Sequence, residues 1–135
     1  MFQQRKTRPT QKRLDSLIGA GTTVNGDVVF SGGLRIDGTV HGKVATVDNL
    51  PGTLVISEHA KIDGEVRVSH VVINGAVTGP VAANDHLELQ AKAQVHGDVL
   101  YRTLEMHVGA IVQGKLTHAA QETAAVVELK RATGD

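Results

Sequence analysis

A five-residue unit recurs along this chain: an aliphatic residue, any residue, glycine, any residue, and a second aliphatic residue. A repeated unit constrains the fold more than any single motif, because every copy must adopt the same local structure. Eight copies lie within residues 24–116, beginning at Val24, Ile36, Val40, Ile62, Ile73, Val77, Val95 and Val112.

A longer period underlies the unit and is marked by an apolar–any–apolar tripeptide. The tripeptides begin at Leu34, Leu54, Val71, Leu87 and Leu104, so the numbering advances by 20, 17, 16 and then 17 from one start to the next. Leu17, one such period before Leu34, provides a weaker first mark, so we infer six copies of about 17 residues. The one long interval contains Asn49-Leu-Pro-Gly52, a turn signal that predicts a small insertion.

Within each repeat the apolar residues alternate with polar ones. From Leu34 to Val44, every even-numbered residue is aliphatic or glycine, which is the pattern of a strand with one buried face. The glycines share the inward phase, and we expect them to allow bends where a side chain would collide with the core. Valine, isoleucine, threonine and glycine are weak helix formers. The sequence predicts an all-β parallel solenoid of about six turns, roughly 29 Å long at the usual strand spacing.

The composition excludes several classes of protein. The chain has 135 residues, no cysteine and a formal net charge of zero, which excludes disulfide scaffolds and thiolate metal sites and gives no reason to expect nucleic-acid binding. Neither a membrane-spanning apolar stretch nor a secretory signal is expected. The three aromatic residues, Phe2, Phe30 and Tyr101, indicate a core built from aliphatic layers.

The ordered units at Ile18–Val28 and Leu34–Val44 resemble the bactofilin family of bacterial cytoskeletal proteins, and the resemblance extends over residues 16–118. It implies a right-handed, three-sided parallel β-helix that polymerises end to end without nucleotide. It also implies a cytoplasmic scaffold, without enzymatic activity, for cell-shape, cell-wall or polar proteins. Family members commonly act at the inner face of the cytoplasmic membrane, so a peripheral location there is expected.

Three regions follow from these observations: a flexible basic tail (residues 1–15), a β-helix domain (16–118) and a flexible C-terminal tail (119–135). Neither tail is a convincing cap, so both ends of the solenoid are predicted to self-associate. In the alternative, the tails fold over the ends and the protein stays a small oligomer. The predicted interface residues are Val24, Val28 and Phe30 in the first turn and Met106, Ile111, Val112 and Leu116 in the last.

The N-terminal segment, residues 1–13, contains five basic side chains and no acidic one. Such a segment can bind anionic lipid, at about 1 kcal/mol per basic residue. Its beginning is similar to the short membrane-targeting sequences of some bactofilins. The alternative is a solvated tail. The residues predicted to contact the membrane are Met1, Phe2, Arg5, Lys6 and Arg8.

Two other classes of solenoid remain as alternatives. One is an enzyme with a left-handed β-helix, such as a hexapeptide-repeat acyltransferase or a carbonic anhydrase-like protein. Those repeats keep a strict period of six, whereas the apolar spacing here alternates between four residues, as from Ile36 to Val40, and six, as from Ile56 to Ile62. The other alternative is a β-solenoid binding module that does not polymerise.

The histidines are the main catalytic-looking feature of the sequence. His41 and His96 occupy equivalent places three turns apart, about 14 Å at the strand spacing, which is too far to share a zinc ion. His70 and His86 fall on adjacent turns, and a surface ladder explains this pair better than a metal site does.

Two carboxylates, Glu88 and Glu105, also occupy equivalent outward positions, and we expect both to be solvated. The glycines follow the solenoid register and form no phosphate-binding loop. We therefore expect no catalytic, cofactor-binding or metal-binding residues.

Overall fold

A computed structural model describes residues 15–119, which wind into a solenoid of six turns. Its strands pair only in parallel, because each turn lies on the next in the same chain direction. The strands are β1 (Ser16–Ile18), β2 (Thr23–Asn25), β3 (Val28–Phe30), β4 (Gly32–Ile36), β5 (Thr39–His41), β6 (Val44–Thr46), β7 (Gly52–Ile56), β8 (Lys61–Asp63), β9 (Val66–Ile73), β10 (Ala76–Thr78), β11 (Val81–Leu89), β12 (Gln94–His96), β13 (Val99–Met106), β14 (Ile111–Gln113) and β15 (Leu116–His118), with a 3₁₀ turn at Val47–Asn49.

The solenoid has three faces, each six strands deep. The first face contains β1, β4, β7 and the second halves of β9, β11 and β13. The second face contains β2, β5, β8, β10, β12 and β14. The third contains β3, β6, the first halves of β9, β11 and β13, and β15. The three long strands bend around the corner between the third and first faces, where their register shifts.

The register between turns confirms the predicted repeat and corrects its first mark. The tripeptide starts pair in sequence, Leu34 with Leu54, Leu54 with Val71, Val71 with Leu87 and Leu87 with Leu104. However, Leu34 pairs with Ser16 in the first turn, and Leu17 pairs with Arg35. Leu17 points outward and is 61% exposed, so its use as an inward register mark was wrong. Its neighbour Ile18 is the inward residue.

Aliphatic side chains fill the interior in columns along the axis. Val40, Ile62, Val77 and Val95 form one column on the second face, and none is more than 2% exposed. Each column places branched side chains of similar size in contact with the turns above and below, which gives close packing without aromatic rings. Phe30, which is 7% exposed, is the aromatic residue of this core.

One corner, between the second and third faces, is built from a glycine in every turn. A Cβ atom on Gly64 would lie 2.2 Å from the carbonyl oxygen of Gly42, and one on Gly42 would lie 2.2 Å from that of Gly26. Gly64 also has a φ angle of 155°, which L side chains rarely adopt. Glycine is thus required at the corner, as predicted. The obstacle is the backbone of the preceding turn rather than the core.

The corner between the first and second faces accounts for the alternating apolar spacing. A short connection at Asp37–Gly38 joins β4 to β5, whereas a longer one at 57–60 joins β7 to β8. The predicted insertion also exists, between β6 and β7. It contains the 3₁₀ turn, in which Asp48 and Asn49 adopt positive φ angles of 50° and 58°.

Candidate self-association surfaces

The strand edges at both ends of the described solenoid are unpaired within residues 15–119. β1, β2 and β3 each pair with a strand of the second turn and with no earlier strand. At the other end, β14, β15 and the second half of β13 pair only with the preceding turn. Each end therefore presents backbone N–H and C=O groups along the axis, which is the direction in which another solenoid could pair.

At the C-terminal end, the core columns are open to solvent. Met106 is 44% exposed, although Leu89, its partner one turn earlier, is fully buried. Leu116 is 40% exposed, although its partner Val99 is 1% exposed. These side chains occupy core positions, and within residues 15–119 no following turn covers them. The adjacent loop adds Val108, which is 97% exposed.

At the N-terminal end, the inward residues are better shielded. Ile18, Val24 and Val28 are half-buried and pack against the core cluster, while Val40 and Val44 in the next turn are fully buried. The two ends therefore differ: the most exposed inward residues of the C-terminal end, Met106 and Leu116, are 44% and 40% exposed, whereas the inward residues of the N-terminal end are half-buried.

The other predicted interface residues lie in different settings. Phe30 belongs to β3 of the first turn, but its side chain is buried and therefore offers little surface at the end. Val112 is half-buried in the last turn and belongs to a core column. Ile111 points outward, in register with Gln94, and is 46% exposed. An interface role for these residues stays a prediction.

Aspartate side chains fix the backbone of the terminal turns. The Asp27 carboxylate accepts a hydrogen bond from the Lys43 backbone N–H at 2.9 Å, and Asp98 accepts one from the Lys115 N–H at 3.0 Å. Asp15 likewise accepts a bond from the Gly33 N–H at 3.0 Å. These bonds join consecutive turns, so both end surfaces rest on a backbone that is tied to the rest of the solenoid.

The histidines lie where the repeat placed them. His41 and His96 share one outward column on the second face, three turns apart. His70 and His86 are cross-strand neighbours. However, the His70 ring lies 3.3 Å from the Ser69 hydroxyl, and the His86 ring lies 2.6 Å from the hydroxyl of Thr103. Each ring therefore has a hydroxyl partner, which agrees with a surface role.

Sequence reasoning missed one cluster. Glu88 and Glu105 are cross-strand neighbours, as expected, but His107 Nε2 lies 3.2 Å from a carboxylate oxygen of each. The sequence signal was the position of His107, two residues after Glu105 and directly after β13. The two glutamates are therefore not merely solvated.

An open groove of about 450 Å³ lies along the corner between the first and second faces, and its walls include Asp37, Ser57 and Arg35. The pKa of the Asp37 carboxyl is lowered, first by the Ser57 hydroxyl and further by the Arg35 guanidinium, while partial burial opposes the shift. Arg35 Nε donates a hydrogen bond to Asp37 at 3.0 Å. Ser57 Oγ is shielded from solvent. The walls of the groove combine these polar side chains with the apolar Val55 and Ile56.

The residues predicted to contact a membrane, Met1, Phe2, Arg5, Lys6 and Arg8, lie outside the described residues. Within residues 15–119, no helix has the length and hydropathy that crossing a bilayer requires.

Comparison with known proteins identifies one family. Residues 16–117 match the family model described as Bactofilin, polymer-forming cytoskeletal. The chain is 28% identical to Bactofilin BacO of Myxococcus xanthus (strain DK1622) over 109 residues, covering 81% of this chain and 83% of that protein. It is 27% identical to Bactofilin BacP of the same organism over 110 residues, covering 79% of this chain and 46% of that protein. Among solved structures, none gives a significant match.

Proposed function

Because the chain belongs to the bactofilin family of polymer-forming cytoskeletal proteins, we propose that it polymerises without nucleotide through end-to-end contacts between solenoids. The observation that carries the proposal is the exposure of core-column residues at the C-terminal end. Met106 and Leu116 are 44% and 40% exposed at positions where the preceding turn is buried. A second solenoid on this surface would cover them as one more turn does inside the molecule.

Two favourable terms would act in such a contact. Burying a large aliphatic side chain contributes about 1.5–3 kcal/mol when the burial is complete, and the exposed fractions of Met106 and Leu116 set how much remains to be gained. The unpaired strand edges would also exchange water for backbone partners, at about 0.5–1.5 kcal/mol for each bond. Several such bonds on three faces offset the entropy lost on association.

Nothing in this contact requires a nucleotide. The groups that would meet are aliphatic side chains and backbone edges, and neither changes with phosphate hydrolysis. Five of the described glycines occupy one corner of the solenoid, where the preceding turn excludes a side chain: Gly42, Gly64, Gly79, Gly97 and Gly114. We therefore propose spontaneous assembly, limited by protein concentration.

Sedimentation and negative-stain microscopy of the full chain, purified without nucleotide, test this proposal. We expect wild-type filaments in the pellet and expect Leu116→Asp and Val28→Asp to leave the chain in the supernatant. Thr117→Asp is the matched control, because Thr117 lies beside Leu116 in β15 and its column runs along the outer surface. A wild-type chain that stays monomeric at high concentration would overturn the proposal, as would filaments that survive both interface substitutions.

We also propose that the basic segment at residues 1–13 attaches the polymer to an anionic membrane surface. Its five basic residues and Phe2 supply charge attraction and one apolar anchor. One segment binds weakly, but a filament presents many segments at once and so gains avidity. The proposed polymer would then lie in the cytoplasm, at the inner face of the membrane.

Flotation with vesicles distinguishes this attachment from filament pelleting, because free filaments sink and vesicles rise. Vesicle flotation should recover the wild-type chain with anionic vesicles and not with neutral ones, and deletion of residues 2–8 should abolish recovery. A variant with Arg5, Lys6 and Arg8 changed to glutamine tests the charge alone. Equal flotation of the deletion variant would exclude this segment as the anchor.

The polymer would act as a scaffold for proteins of cell shape, the cell wall or the cell pole. Outward positions recur in every turn, so a filament repeats the same surface at each subunit and can hold many copies of one client. A client of the filament should co-sediment with wild-type chain and with Thr117→Asp, and should stay in the supernatant with Leu116→Asp. Client binding that does not depend on assembly would favour a simple binding module.

A further inference from the structure

We propose that Glu88, Glu105 and His107 form a binding site for one divalent transition-metal cation, of which Zn²⁺ is the best match. Each residue offers one ligand atom, and the three atoms lie within 4.8 Å of one another. Among residues 15–119, no other group of three histidine, cysteine or acidic side chains meets this condition.

The distances match the geometry of a tetrahedral site. Zinc bonds of about 2.0–2.2 Å to nitrogen and oxygen place neighbouring ligand atoms about 3.3–3.6 Å apart in a tetrahedron. His107 Nε2 lies 3.2 Å from Glu88 Oε2 and 3.2 Å from Glu105 Oε2. The two carboxylate oxygens lie within 4.8 Å of each other, and a cation at the centre would draw them to the tetrahedral spacing. The fourth position would be open to water.

The backbone holds the three residues in place. β11 and β13 pair in parallel with Glu88 opposite Glu105, so hydrogen-bonded strands fix the spacing of the two carboxylates. The His107 N–H donates to the Leu89 carbonyl at 2.9 Å, which fixes the start of the loop after β13. The Gln90 side-chain amide donates to Glu88 Oε2 at 3.1 Å and orients that carboxylate, as outer-shell partners do in metal sites.

The charge arrangement also favours a cation. Like charges directly opposite each other on adjacent strands destabilise a sheet, and Glu88 and Glu105 are such a pair. A bound Zn²⁺ would relieve this repulsion with two positive charges and would keep His107 as a neutral ligand. Imidazole with carboxylate oxygen suits zinc better than magnesium, which prefers oxygen ligands alone.

Other histidines lack this arrangement. His41 Nδ1 has one acidic neighbour, Asp63, at 3.7 Å, and His59 pairs with Glu58 at 3.4 Å.

The proposed site connects the last two turns on the outer surface of the first face, so the cation would link the final turn to its neighbour. It needs no filament to form, and the inference does not rest on the proposed polymerisation.

Isothermal titration of the tag-free, chelator-treated full chain with ZnCl₂ tests the proposal. We expect one saturable site per chain. Because outer-shell changes alone weaken metal binding 10–100-fold, His107→Ala and Glu105→Gln should each weaken binding by at least about tenfold. His59→Ala is the matched control and should bind as the wild type does, and MgCl₂ should give much weaker binding.

Thermal unfolding provides a second readout, because a ligand that binds only the folded state raises its melting temperature. ZnCl₂ should raise the melting temperature of wild type and of His59→Ala, and should leave that of His107→Ala unchanged. All the exchanged side chains are at least partly exposed, so folding should survive, and circular dichroism checks this. Absence of saturable binding, or equal binding by His107→Ala, would overturn the proposal.

Discussion

The middle turns and the end turns of this solenoid share one repeat but differ in what that repeat exposes. Val66 in the third turn is fully buried, whereas Leu116, in the same column three turns later, is 40% exposed. The side chains are similar, so the difference comes from the neighbouring turn: one covers Val66, whereas no turn follows Leu116 in the described part of the chain. In a stacked fold of this kind, burial depends on position in the stack more than on the residue.

The largest expected effect is from a charge placed at the two positions of this comparison. Val66→Asp should destabilise the fold by about 3–5 kcal/mol or more, because it leaves an uncompensated charge in the core, and that is a large part of the stability of a typical domain. Leu116→Asp should cost far less, since its carboxylate can reach water. Urea unfolding followed by circular dichroism measures both.

The same pair separates folding from assembly. Leu116→Asp should remain folded but stay in the supernatant on sedimentation, whereas Val66→Asp should unfold at a much lower urea concentration than wild type. Equal destabilisation by the two changes would mean that the last turn is covered in solution, and would contradict an open end.

A second comparison shortens two side chains of one core column without adding charge. Leu89→Ala should cost about 2–5 kcal/mol, because Leu89 is fully buried and the change leaves a cavity. Met106→Ala, one turn later, should cost roughly 1 kcal/mol in the monomer, since the wild-type side chain is already half in water. In concentrated samples Met106→Ala should raise the protein concentration at which filaments appear. A Met106→Ala monomer as unstable as Leu89→Ala would refute the comparison.

The glycine corner provides a third comparison. Gly64→Ala forces a Cβ against the Gly42 carbonyl, adding about 1–3 kcal/mol of overpacking to about 1–3 kcal/mol for an unfavourable φ angle. Gly26 has a φ angle of 135° but no atom within 4 Å of an added Cβ. Gly26→Ala should therefore lower the free energy of unfolding only by the cost of the unfavourable φ angle, about 1–3 kcal/mol. Thermal unfolding measures the difference, and equal costs would show that the backbone angle, not the preceding turn, requires glycine.

The smallest effect concerns the polar corner column. The second turn places Asp37 beside Arg35 and Ser57, where its pKa is lowered, while the first turn has only Gly19 at this position. A lowered pKa in the folded state contributes stability above the unfolded value, near pH 4, and this is lost as pH falls through the folded value. Asp37→Asn should therefore lose less stability than wild type between about pH 5 and pH 3. Equal losses of unfolding free energy by wild type and Asp37→Asn over this pH range would contradict this prediction.

The fold could be predicted from sequence because the repeat requires every turn to adopt the same local structure. The alternation from Leu34 to Val44, with glycine at the corners, indicates strands that bend at fixed places, and the structure has strands and corners there. The register of the first turn could not be read, because Leu17 and Ile18 are both aliphatic and only pairing with the second turn decides which points inward.

The end surfaces and the histidine cluster were predicted to different degrees. Both ends were predicted from sequence to be open, because neither tail is a convincing cap. The sequence could not show that Phe30 is shielded by neighbouring turns. His107 lies in a corner loop, and the aim of a loop side chain depends on backbone angles that no repeat specifies, so its contact with Glu88 in the preceding turn was not foreseen.

The backbone hydrogen bonds between turns, such as those from the Lys61 N–H to the Gly38 carbonyl and from the Gln94 N–H to the Gly75 carbonyl, run along the axis of the rod. A stretching force on the ends would therefore pull against all the bonds of one turn together instead of peeling them apart singly. Every junction between two turns therefore carries the same tension. Rupture should begin at the junction with the fewest hydrogen bonds.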